Sequence, residues 1–195
     1  MPMTRCAFLG WVSVLTLSTV LTGAAMAQEA FTLTSPAMGD GETLPADLRC
    51  TRYGGDGLSP PLEWSNPPED TASFALIMYH YPLGGREGVD APSQYWHLWN
   101  IPVGTVSLPR GNPDAIGNEG ANKDAKATGY TSPCSPKQWF SFTREPQHQY
   151  FIELFALNAP LEMLPAHDDL SVDWKTMTTA MAGKVLTSTR ISFLN

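Results

Sequence analysis

Three observations predict a mainly β domain with only a few short helices. Proline (17 residues) and glycine (16) are dispersed along the 195-residue chain, with no low-complexity block, internal repeat or long charge run, as suits short strands joined by many turns. Residues 73–79, Ser-Phe-Ala-Leu-Ile-Met-Tyr, form an unbroken apolar run without helical spacing. Two further segments, 95–101 and 148–157, alternate with a period of two.

The first 27 residues stand apart. One early charge, Arg5, precedes an apolar run from residue 8 to 21 and the small-residue end Ala25-Met26-Ala27, the pattern of a secretory signal peptide. The run is shorter than the roughly twenty residues a spanning helix needs, so we expect cleavage after Ala27 and no transmembrane segment in the mature chain. Cys6 precedes the apolar run and leaves with the leader. Residues 28–195 then form a single domain, periplasmic or secreted. The formal net charge of −7 becomes −8 without Arg5, which disfavours nucleic acid or an acidic membrane surface as a partner.

Each later element has its own signal. The run 73–79 reads as a strand buried on both faces near the centre of a sheet. In 95–101, which ends at Pro102, alternation places Tyr95, His97, Trp99 and Ile101 on one face and Trp96, Leu98 and Asn100 on the other. In 148–157, His148, Tyr150, Ile152 and Leu154 oppose Gln149, Phe151, Glu153 and Phe155. Ser171 is a candidate cap for a helix near the C-terminus in which Trp174, Met177 and Met181 share a face, with Gly183 suited to its left-handed end. Residues 185–193 read as a closing strand. Segments 84–92 and 110–128 are polar and aperiodic, so both read as surface loops, the second long enough to be a lid.

The stretch Gly129-Tyr130-Thr131-Ser132-Pro133-Cys134-Ser135-Pro136, followed by His148-Gln149-Tyr150, carries the chemistry. A rigid proline turn presenting backbone N–H groups beside an imidazole and a phenol can capture a small anion. Cys50 and Cys134 remain after the leader is removed. In an oxidising compartment they can form one disulfide, the alternative being two unlinked thiols.

These motifs, with Cys50-Thr51-Arg52-Tyr53-Gly54-Gly55-Asp56-Gly57, Ser59-Pro60-Pro61-Leu62-Glu63-Trp64, Asn100-Ile101-Pro102, Leu108-Pro109 and Phe155-Ala156-Leu157, resemble the phosphatidylethanolamine-binding protein family, in particular its exported Raf-kinase-inhibitor-like bacterial branch. The resemblance covers nearly the whole mature chain. It implies two packed antiparallel sheets and a small anion-binding cavity at one end of the fold. It also implies that His148 and Tyr150, in a His-x-Tyr strand start, contact the ligand together with the turn of Ser132, Pro133 and Cys134, while Tyr130 braces that turn.

The chain departs from the family pattern at two places. Where the family has an Asp-Pro-Asp-Ala-Pro turn, this chain reads Tyr79-His80-Tyr81-Pro82-Leu83; where it has His-Trp, this chain has Tyr95-Trp96. His80, Tyr95 and Trp96 therefore join the candidate ligand set. His97, one alternation or about 7 Å from Tyr95, would supply the missing imidazole, the alternative being a histidine packed within an aromatic strand. Losing carboxylates and gaining phenols suits a phosphate or carboxylate ligand better than a cationic headgroup.

Other chemistries are weaker. His80, His97 and His148 match no metal-ligand spacing, and no cofactor is implied. Ser132 or Ser135 beside His148 would be the nucleophile of a hydrolase, but no Gly-x-Ser-x-Gly elbow occurs. The competing class, ahead of the hydrolase, is a protein-interaction inhibitor of a protease or kinase acting through the cavity rim. The expected ligand is a small anion or a phospholipid headgroup. Arg86 reads as a solvated loop charge.

Overall fold

The computed structural model describes residues 1, 29–82, 85–134 and 148–195. The leader expected over residues 1–27, with its cleavage point, lies outside the described residues apart from Met1, as do Gly84, Ser135 and Pro136.

The strands run in chain order: β1 (Thr32–Thr34), β2 (Glu42–Thr43), β3 (Leu62–Ser65), β4 (Ser73–His80), β5 (Ser93–Pro102), β6 (Ser107–Leu108), β7 (Asn118–Glu119), β8 (Gln149–Leu157) and β9 (Val185–Leu194). One helix, α1 (Trp174–Met181), precedes β9, and two 3-10 turns follow β2. A six-stranded sheet has the order β2-β9-β8-β4-β5-β7, and a three-stranded sheet has the order β1-β3-β6. Every pairing is antiparallel except that of β2 with β9.

β4 is central, and all eight of its residues are buried. Phe74, Leu76 and Met78 face the core that joins the two sheets, among Leu33, Leu62, Trp64 and Ile152. Ala75, Ile77 and Tyr79 face the opposite layer, formed by Leu161, Val172, Met177 and Met181. A strand with no wet face must be apolar at every position, which is why the run lacks alternation. Each such aliphatic side chain contributes about 1.5–3 kcal/mol through burial.

The expected faces of β8 hold: Tyr150, Ile152 and Leu154 enter the intersheet core, while Phe151 and Phe155 pack on the helix side. The faces of β5 require correction. Met78 pairs with Trp96 and Tyr79 with Gln94, so Tyr95 is an extra residue; a second irregularity lies between Leu98 and Ile101. Each extra residue reverses the alternation. Tyr95 and Ile101 therefore join Trp96 and Leu98 in the intersheet core, whereas Trp99 packs on the helix side. Asn100 absorbs the second bulge with φ +54°, a conformation asparagine tolerates, and its Oδ1 accepts the Leu161 N–H at 2.7 Å.

Two further expectations change. Asp173, not Ser171, caps α1: its carboxylate accepts the Thr176 N–H at 2.8 Å, and the same bond holds its pKa below the ordinary carboxylate value. Gly183 does take the left-handed conformation after the helix, at φ +73°. Segment 110–128 is tethered rather than a free lid. Arg110 bonds to Asp47 and Asp56, the Asn112 side chain bonds both backbone groups of Ile116, and β7 pairs with β5. Two-residue strands and side-chain-to-backbone bonds leave no periodic trace in a sequence.

Urea denaturation should separate these roles. Ile77→Ala is expected to destabilise the fold by about 2–5 kcal/mol. Asp173→Ala should cost about 1 kcal/mol, with Ser171→Ala within about 0.5 kcal/mol of the parent; equal losses at 171 and 173 would reject the cap assignment.

Candidate functional site

Four aromatic side chains converge at one end of the large sheet, on the face that meets the small sheet. His80 is the last residue of β4 and pairs directly with Tyr150 near the start of β8. The bulge at Tyr95 turns that ring to the same side. His148 immediately precedes β8 and is held by two backbone hydrogen bonds with Asn195, 2.9 and 3.0 Å long. The His80 ring centroid lies 4.9 Å from Tyr150, 5.4 Å from Tyr95 and 5.5 Å from His148. Tyr95 meets Tyr150 edge-on at 5.2 Å and is hydrogen-bonded to it. Tyr150 in turn stacks on Phe193 at 5.3 Å, and the rings fix one another through edge and offset contacts.

The 131–134 segment borders this cluster. The Thr131 N–H donates to the Tyr95 carbonyl at 2.8 Å, and Asn195 Nδ2 donates to the Pro133 carbonyl at 3.5 Å. Pro133 is buried, while Ser132 and Cys134 are half-buried. Cys134 is bonded to Cys50 with a Cα–Cα distance of 5.4 Å, so the alternative of unlinked thiols does not hold. Tyr130 packs behind the segment, edge-on to Trp96 at 5.7 Å.

The electrostatics follow from desolvation. His80 is 7% exposed, and burial, reinforced by the nearby positive charges of His148 and Lys123, lowers its pKa to about 4. Its Nδ1 is buried with no hydrogen-bond partner among the described residues. Burial likewise raises the Tyr95 phenol, and the contact with Tyr150 adds to the shift. His80 is therefore uncharged at neutral pH, and Tyr95 remains a donor.

Trp96 and His97 lie outside the ring cluster. Trp96 is fully buried, with its indole N–H donating to Glu119 at 2.9 Å. His97 pairs with Ile77 on the opposite face from Tyr95. It is fully buried, and its Nδ1 lies 3.2 Å from the Ala121 carbonyl. Burial lowers its pKa to about 4 as well. It cannot stand in for an imidazole at Tyr95, because the bulge separates their faces. Arg86 lies beside Asp90 at 3.8 Å in a solvated loop.

One residue was not legible in the sequence. Lys123 Nζ sits 5.8 Å from the Tyr95 ring centroid, and the Lys123 N–H donates to Thr131 Oγ1 at 3.3 Å. It lies in an aperiodic loop, where only the fold reveals its neighbours. Among the described residues, no group of three or more His, Cys, Asp or Glu could hold a metal ion, and no helix is long and apolar enough to cross a membrane. A concavity of about 370 Å³ beside α1, lined by Met163, Leu164 and Lys175 among others, shares no residue with the ring cluster.

Residues 34–194 match the family model described as phosphatidylethanolamine-binding protein. A UPF0098 protein of Methanothermobacter thermautotrophicus is 31% identical over 140 residues, covering 68% of this chain and 80% of its own length. The UPF0098 protein YbcL of Escherichia coli is 29% identical over 195 residues, or 93% of this chain and 94% of that one. A crystal structure of a phosphatidylethanolamine-binding protein homologue from Chlamydia trachomatis superposes with a TM-score of 0.68 at 26% identity, over 85% of this chain and 97% of that one. That of Escherichia coli YbcL superposes at 0.66 and 24% identity, over 84% and 96%, and shares the fold.

The desolvated imidazoles make stability depend on pH. A histidine whose folded pKa is about 4, against 6.5 in the unfolded chain, takes up its proton in the unfolded state first. Its contribution is thus complete above pH 6.5 and is lost as pH falls toward 4. By this linkage His80→Gln should flatten the decline in stability between pH 7 and 4 by up to about 3 kcal/mol. Urea midpoints of the two proteins, measured side by side, should shift relative to each other in favour of the variant on acidification; an unchanging difference would show that His80 titrates normally.

Proposed function

Because the chain belongs to the phosphatidylethanolamine-binding protein family, we propose that it is a ligand-binding protein that holds a small anion or the phosphate of a phospholipid headgroup. The observation that carries this reading is the convergence of His80, Tyr95, His148 and Tyr150 beside the 131–134 segment. Imidazole and phenol groups donate hydrogen bonds to oxyanions, and Lys123 adds a positive charge at the rim. Among the described residues no carboxylate acts on His80, and Asp124, next to Lys123 in the chain, acts on Tyr95. The ligand role is assigned to His148 and Tyr150 first, with His80 and Tyr95 completing the pocket wall.

The same grouping supports binding over hydrolysis. Ser132 is half-buried at the segment edge, and no nucleophile-to-imidazole hydrogen bond exists among the described residues that would activate it. The proposed location is periplasmic or extracellular, after cleavage behind Ala27. The Cys50–Cys134 bond supports this location, since such bonds persist in oxidising compartments.

Isothermal titration with phosphate, acetate and phosphoethanolamine tests the ligand class. His148→Ala should weaken phosphate binding by at least about tenfold, equivalent to one charge-assisted hydrogen bond of about 1.4 kcal/mol, and phosphoethanolamine should bind no tighter than phosphate. Unchanged phosphate affinity in His148→Ala would remove this residue from the site. Ester turnover that disappears in Ser132→Ala would favour the hydrolase instead.

For location, protein recovered from the cell envelope or medium should begin at Gln28 and should gain two hydrogens in mass only on reduction. An intact leader in all fractions would contradict export.

A further inference from the structure

We propose that the site is a proton-coupled oxyanion trap in which capture of a tetrahedral anion is accompanied by transfer of one solvent proton onto the His80 imidazole. This inference rests on the anion-binding reading above and adds the regulation of that site. Its starting point is geometric. His80 is almost wholly enclosed, at 7% exposure, and its Nδ1 has no hydrogen-bond partner among the described residues. Leaving a buried polar atom unpaired costs stability, a cost an apolar residue at the end of β4 would avoid. The unpaired nitrogen sits within a grouping of polar rings on this face of the sheet.

The surroundings define what would satisfy it. From β8, His148 and Tyr150 face the ring; from β5, Tyr95 faces it; from the loop after β7, Lys123 acts on it. Phe193 of β9 lies behind Tyr150 and carries no charge. Coulombic repulsion from His148 and from Lys123 opposes protonation of His80. Asp124 acts instead on Tyr95. An empty site therefore keeps His80 neutral, down to a pH near 4.

A bound oxyanion reverses the balance. Its negative charge offsets His148 and Lys123, and its oxygens accept the N–H groups of an imidazolium, which has two donors where neutral imidazole has one. Protonation and anion binding then assist each other. Between the His80 pKa of the complex and that of the empty site, affinity rises by up to about tenfold for each unit of pH decrease. A tetrahedral oxyanion is common to free phosphate, sulfate and the monoester headgroup of phosphatidic acid.

Sulfate is the first probe, because its charge does not change between pH 7 and pH 5. Titrations in paired buffers of different ionisation enthalpy report both affinity and protons taken up. By the linkage above, affinity should rise at least about fivefold from pH 7 to pH 5, with uptake approaching about one proton per sulfate at pH 5. In His80→Gln the affinity should change by less than about twofold over that range, with the uptake reduced by more than about half.

Proton uptake that persists in His80→Gln but is lost in His148→Gln overturns the assignment to His80. Sulfate binding that is independent of pH overturns the coupling and leaves the anion site standing; no sulfate binding at any pH overturns both. Should His80→Gln fail to fold, the imidazole resonances of the unaltered protein give the same answer. Saturating sulfate should raise the His80 midpoint by about two pH units, and an unmoved midpoint rejects the proposal. Co-sedimentation with phosphatidylcholine vesicles containing phosphatidic acid then distinguishes a lipid source, for which binding should strengthen at pH 5, from a free ion, for which vesicles are ignored.

Discussion

The register of β4 between β5 and β8 is the constraint on which the rest depends. β4 is buried along its whole length, so no solvent-facing position is available to accommodate a slip. A shift by one residue would exchange Phe74, Leu76 and Met78 for Ala75, Ile77 and Tyr79 on the intersheet face. The register also places His80 opposite Tyr150. With that pairing set, the extra residue in β5 turns Tyr95 to the same side, and the ring cluster follows from the strand pairing.

The cluster is chemically coherent because each member is held by something outside it. Tyr150 leans on Phe193, Tyr95 is fixed by the Thr131 N–H on its carbonyl, and His148 is fixed by the paired backbone bonds with Asn195. Enclosure lowers the pKa of one imidazole and raises that of a phenol, so both groups are neutral over the physiological range. In the proposed site, neutral donors and a nearby ammonium group would receive an anion without first breaking an ion pair among these rings. A carboxylate on the β4 turn would have reversed that preference.

The Cys50–Cys134 bond links the 131–134 segment to the 3-10 turns that follow β2 and closes a chain separation of 84 residues. In the chain-entropy model a loop of this size corresponds to about 4–5 kcal/mol of stabilisation. Arg110, bonded to Asp47 and Asp56, holds the same turns to the long segment that carries Lys123. The site border is thus attached to the body of the domain at two independent points. This explains how an irregular segment rich in proline and glycine can keep a defined position beside the rings.

Much of this was legible in the residues. The unbroken apolar run of β4, the alternation of β8 and the closing strand each carry a local signal with one physical meaning, while the pair of cysteines left two readings that the structure resolved. Composition and motif together specified a mainly β protein of the phosphatidylethanolamine-binding family. The faces of β5 were not legible, because a bulge inserts one residue without altering the composition around it, and alternation alone then assigns Tyr95 and His97 to one side. The cap at Asp173 and the anchoring of segment 110–128 were also hidden, since several nearby residues could have made the same short-range bonds. Sequence by itself determined which residues must be buried and which segments are strands, because burial leaves a periodic record. Only the tertiary structure decided which polar side chains meet: His80, Tyr95, Lys123, His148 and Tyr150 come from four separate stretches of chain, and their proximity is set by register and bulge geometry, which no local pattern encodes.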